Sequence, residues 1–246
     1  MRKYVTATLG LALLLVLQCF AQELPLSIRI ERVKANRSEY PQLDKGRSLK
    51  DEVSATHHDV ERRSIVIDDL AKGLNYPLEP PEDNSRIRSA THSSDLVAVG
   101  TVTNNLSTLT ANEAFIFTDS EFKISEIWKG NVSPGVLDDG GTMDEITVTA
   151  PGGIAKIQGN IVRAIVSNRA PLQMGRTYLL FLTYLPNSHS YKTVGGLIGF
   201  DLTGGAITCL YKGVPPPNAN LISNRSEYLA AIHSSVERQQ TKDQSR

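Results

Sequence analysis

Four carboxylates crowd one short stretch, DDGGTMDE, where Asp138, Asp139, Asp144 and Glu145 flank a glycine pair. Oxygen donors at that density are what a calcium ion requires. Their spacing departs from the alternating ligand positions of a helix–loop–helix calcium loop, and loops joining strands are commonly acidic because they are solvated. Calcium is therefore the weaker reading of this stretch. A second carboxylate set, Asp119, Glu121 and Glu126, lies in AFIFTDSEFKISEIW. Two carboxyls about 5–9 Å apart, one kept protonated by burial, would suit glycoside hydrolysis. Asp119 and Glu121 fall on one face of an alternating strand, opposite an apolar face, which is the pattern of polar surface.

The remaining candidates are weaker still. HHD, at His57, His58 and Asp59, offers zinc-ligand side chains. Adjacent residues on a helix point about 100° apart, so the two histidines would not converge. His92, His189 and His233 are far apart, each beside a serine. The chain contains no G-x-S-x-G elbow, phosphate loop, H-E-x-x-H or paired C-x-x-C. No catalytic residue is assigned, and no metal or other cofactor is expected.

The chain's start is more informative. Arg2 and Lys3 precede the apolar run Leu9–Leu17, and Cys19 and Ala21 stand at minus three and minus one of a cut before Gln22. That is the layout of a secretory signal peptide over residues 1–21. The run is well short of the ~20 apolar residues of a spanning helix. Acylation of Cys19 is the lipoprotein alternative, but Gln18 suits it poorly. A secreted or periplasmic mature chain without a membrane span is expected. Only Cys209 would remain after cleavage, so no internal disulfide is expected, and its setting in AITCL is that of a buried small hydrophobe.

Three zones follow. Residues 22–86 are charged and broken by prolines, with one helical rhythm (Val60, Ile67, Leu70, Ala71, Leu74) that predicts an amphipathic helix from about His57 to Gly73. A partly ordered arm is expected there. Residues 87–213 hold short runs rich in Val, Ile, Thr, Phe and Tyr: 95–102, 114–128, 145–150, 160–166, 177–185, 191–196, 198–202 and 206–210, bounded by Gly, Pro, Asn or Asp. Without helices between them, they predict a mainly β domain, an antiparallel OB-like barrel or small sandwich of about five to eight strands. In GRTYLLFLTYL both faces of the strand are apolar, so it reads as a core strand covered on both sides. Residues 214–246 form a Pro-rich spacer and a C-terminal helix, capped at Ser223 or Asn224, with Tyr228, Leu229, Ile232 and Val236 on one face.

The segment NRSEY occurs twice without further similarity around it, so it is no repeat. Asn36, Asn105, Asn131 and Asn224 each begin a glycosylation sequon, which matters only in a eukaryotic source. The strand region carries more acid than base and no cationic cluster, which argues against nucleic acid as a partner.

SSDLVAVGTV, FKISEIWKG and GRTYLLFL resemble, in order and character, strands of netrin-like and metalloproteinase-inhibitor modules. The same texture is similar to that of exported bacterial proteins with no assigned activity. The resemblance implies an OB-type five-stranded barrel over roughly Asp95–Leu185. The N-terminal zinc-binding cysteine and the disulfides of those inhibitors are missing, so their mechanism does not carry over. The expected function is a non-enzymatic binding or interaction module. The alternatives are a hydrolase using Asp119 and Glu126, or a calcium-dependent surface module.

Overall fold

The computed structural model describes residues 30–35, 49, 62–67, 85–110, 112–132, 144–166, 170–194, 199–204, 207–210 and 225–245. The protein is mainly β and mostly antiparallel, with a C-terminal helix. Residues 30–35 are helical (α1). They are followed by β1 (Arg62–Ile67), α2 (Ser85–Ser93), β2 (Leu96–Leu109), β3 (Ile116–Lys129), β4 (Glu145–Pro151) and β5 (Gly153–Ile157). Then come β6 (Asn160–Val166), β7 (Thr177–Leu185), β8 (Ser190–Thr193), β9 (Gly199–Asp201), β10 (Thr208–Cys209) and α3 (Arg225–Gln244). The seven-stranded sheet runs β10-β9-β7-β2-β3-β4-β8, and β8 also pairs with β7. A smaller sheet runs β1-β6-β5.

The strand TYLLFLTYL organises the large sheet. One edge of β7 pairs antiparallel with β2 through Thr177–Leu182. The other edge is divided, Tyr178–Leu180 going to β9 and Leu182–Leu185 to β8. Its side chains alternate between two dry clusters. Tyr178, Leu180 and Leu182 join Leu96, Ala98, Val102, Phe122, Ile146, Val148 and Tyr191. Leu179 and Phe181 join Val97 and Phe200 beneath Ile87 and Ala90 of α2 and Tyr228, Ile232 and Val236 of α3. The expected two-sided core strand is what forms, and the C-terminal stripe is what covers its second face.

Short polar contacts fix the helices to this frame. Lys129, at the end of β3, donates to the carbonyls of Thr91 and Ser94, where α2 ends and its last carbonyls lack helical partners. Burial there lowers the Lys129 ammonium pKa. Gln240 Nε2 of α3 donates to the Trp128 carbonyl at 2.6 Å, and Arg225, at the start of α3, donates to the Leu202 carbonyl at 2.6 Å.

Between β4 and β5 the chain leaves one sheet for the other at Gly152 and Gly153 (φ 101° and 137°). A Cβ on Gly153 would sit 2.3 Å from Thr118 Oγ1, so only glycine fits this crossing. β5 and β6 form a hairpin closed by Gln158 and Gly159, both at positive φ, as a two-residue primed turn requires. The inner face of the hairpin (Ile157, Val162, Ala164) packs on Ile116 and Leu49.

Two expectations change. The helix expected from His57 to Gly73 is a strand over Arg62–Ile67, paired in parallel with β6; the rest of that range lies outside the described residues. RRSIVI ends in three consecutive β-branched residues, and a ready β6 edge overrides the sparse helical rhythm. The second change is α2, which spans the boundary expected between the N-terminal arm and the strand region.

Leu180→Asp or Phe181→Asp puts an unpaired carboxylate into one of the dry clusters. Either should prevent folding, a loss above ~4 kcal/mol, read as lost soluble yield and native circular dichroism. A soluble, folded variant would contradict two-sided burial of β7.

Candidate functional site

Beyond the dry clusters, the densest polar grouping lies on β3, β4 and the β7–β8 turn, under α1. Asp119, paired in register with Thr149, is 7% exposed. Thr149 Oγ1 donates to Asp119 Oδ1 at 2.6 Å and lies 3.2 Å from Ser190 Oγ, which is 2.7 Å from Ser188 Oγ. A carboxylate only accepts, so this file of hydroxyls is oriented towards Asp119. Arg32 of α1 closes the group from above. Its Nε donates to the Ser188 carbonyl at 3.2 Å, its Nη1 to Thr147 Oγ1 at 3.4 Å, and the same Nη1 lies 3.8 Å from Asp119 Oδ2. Val33, the next residue, enters an apolar cluster with Ala114, Phe115, Phe117 and Val166, which holds α1 in place.

Asp119 is therefore not the polar surface that alternation predicts; it faces outward from β3 but is covered by a segment 87 positions earlier in the chain. Glu121 lies two residues along the same face. Burial raises its pKa; an Asn104 hydrogen bond opposes this, Glu145 adds to it, Arg32 opposes it and Asp119 adds to it. Asp201 shows the reverse balance. Burial pushes its carboxyl up, but hydrogen bonds from Thr203 and Arg176 leave it lowered.

Glu126 does not join this group. It is exposed and seven residues from Asp119, about 23 Å along a strand. Of the calcium candidates, Asp138 and Asp139 lie outside the described residues, as do His57, His58 and Asp59. Asp144 lies 4.0 Å from Lys123 Nζ, and Glu145 Oε1 accepts from Thr103 Oγ1 at 3.0 Å. Among the described residues, no three His, Cys, Asp or Glu side chains gather as metal ligands would. The three described histidines occupy separate places. His92 meets Asp243 at 3.0 Å, Tyr184 Oη lies 3.1 Å from His189 Nδ1, and His233 stands edge-on to Trp128 with ring centroids 4.8 Å apart. Cys209 is buried in the cluster under the helices. Asn105 Nδ2, the atom a glycan would join, donates to the Leu172 carbonyl at 3.0 Å, whereas Asn131 is exposed.

A second feature went unnoticed in the sequence: the outer face of β5–β6. Ile154 and Ile161 are 47% and 48% exposed on neighbouring strands of this face, beside exposed Lys156 and Arg163. The signal was the alternation in GIAKI and NIVRAIV, which puts an isoleucine on both faces of the hairpin.

No protein-family model matches the chain, and no curated protein matches it either.

Two predictions test the polar group. Arg32→Ala leaves Asp119 buried without its guanidinium and should cost about 3–5 kcal/mol in urea unfolding, whereas the double variant Arg32→Met/Asp119→Leu should lose far less. Equal losses would contradict the pairing. Because the folded pKa of Glu121 lies above its unfolded value, its stabilising share is complete below the unfolded value of about 4.5 and is lost as pH rises through the folded one. Glu121→Gln should remove that decline from a plot of melting temperature against pH.

Proposed function

We propose that the protein is an exported, non-enzymatic interaction module on an OB-like barrel, with the outer face of β5–β6 as its contact surface. The barrel reading rests on the circuit of pairings from β7 through β2, β3, β4 and β8 back to β7. Directions cannot alternate all the way round a circuit of five strands, so one junction has to be parallel. β4–β8 is parallel and the other four junctions are antiparallel. A small five-stranded Greek-key barrel has this count. The segments that resemble netrin-like modules fall on β2, β3 and β7. Export rests on the layout of residues 1–21.

One observation carries the interaction reading: Ile154 and Ile161 lie diagonal to one another on one sheet face, each about half exposed. Single exposed aliphatics are ordinary, whereas two on the same open sheet face, each flanked by a cation, suit a contact surface. The hydrolase reading is the poorer one, since Asp119 is engaged by Arg32 and Thr149 and Glu126 stands far from it.

The test is retention of the purified chain by extracellular and cell-envelope fractions. The native protein should bind, and Ile154→Glu/Ile161→Glu, both at exposed positions, should reduce binding at least tenfold with the fold intact. Equal retention of the two proteins, or none of the native one, would refute the assignment.

A further inference from the structure

The contact face has a definite charge. In register, Ile154 stands opposite Arg163 and Lys156 opposite Ile161, so each cross-strand pair joins one cation to one isoleucine. Lys156 and Arg163 are both exposed. No Asp or Glu occurs anywhere between Glu145 and Asp201, a stretch that includes the whole hairpin. The acids Asp119, Glu121 and Glu126 lie on β3 instead. The hairpin tip is polar and stands clear, since a Cβ on Gly159 would meet nothing within 4 Å.

We propose that this face seats on an anionic lipid surface. Ile154 and Ile161 enter the boundary between headgroups and acyl chains, and Lys156 and Arg163 reach the lipid phosphates. This rests on the reading above that the β5–β6 face is the contact surface. Two other occupants fit less well. A second copy would bring this cationic face against itself, where like charges repel. A peptide strand needs a groove or a sheet edge to supply its hydrogen bonds, and this is the broad side of a sheet. An anionic bilayer is broad, negative at its surface and apolar just beneath, which matches alternating cations and aliphatics.

The experiment is co-sedimentation of the full chain with vesicles of phosphatidylcholine containing a quarter phosphatidylglycerol, against pure phosphatidylcholine, at two salt concentrations. Binding should require the anionic lipid and weaken with salt. Lys156→Gln/Arg163→Gln should lower partitioning roughly 30-fold, as expected for two cations at a charged surface, and Ile154→Ser/Ile161→Ser should also lower it. With Ile161→Trp, emission should shift to the blue on anionic vesicles and not on neutral ones. Equal binding to both vesicle types, no effect of the cation variant, or binding to polyglutamate but not to vesicles would each overturn the proposal. Absence of vesicle binding while envelope retention still depends on Ile154 and Ile161 would overturn the lipid assignment alone. Loss of that dependence would overturn the choice of face.

Discussion

A strand with no wet face imposes the architecture. β7 has bulky apolar side chains on both sides, so it needs an apolar layer above and below, and unpaired backbone on either edge would be costly. β2, β8 and β9 satisfy the edges. The cluster around Phe122 and Tyr191 fills one side, and α2 and α3 close the other. The C-terminal helix is thus part of the core although it comes last in the chain. The polar ties at Gln240 and Arg225 hold it to the sheet, Lys129 does the same for the end of α2, and all three add little to what apolar burial supplies.

The outward side of β3 and β4 follows a different rule. There the covering element is α1, and it arrives with a guanidinium as well as an apolar residue. Taking Arg32 and Asp119 out of water costs nearly as much as their attraction returns, so the pair is a poor source of net stability. Its effect is selective. Arg32 meets Asp119, Thr147 and the Ser188 carbonyl together, directional contacts that constrain α1 more narrowly than the apolar contact of Val33 does.

What the sequence discloses follows from the range of each interaction. β6 and β7 begin and end where their apolar runs do, because turn residues punctuate both ends. The stripe Tyr228–Val236 shows on its own helix, so its burial was readable without knowing the layer beneath. α2 was not, since SRIRSATHS offers only Ile87 and Ala90 to the core and has no helical rhythm long enough to register. β5 opens on a glycine that a propensity scale counts against a strand, and a clash that exists only in three dimensions requires it. Asp119 looked like surface for a similar reason. Alternation reports which face a side chain takes and nothing about whether a distant segment will cover that face.

The span of the Arg32 contacts has a consequence for how the chain reaches this state. Its partners Thr147 and Ser188 lie 115 and 156 residues downstream, and β1 finds its neighbour β6 across a comparable loop. Closing loops of that length brings no return until β4 and the β7–β8 turn are in place, so these are late contacts in a fold of high contact order. Until then the guanidinium and the Asp119 carboxyl both stay hydrated. The α1 segment therefore gains its full set of partners only once β4 and the β7–β8 turn have come together, and loop closure sets the entropic cost of that step more than the strength of the ion pair does.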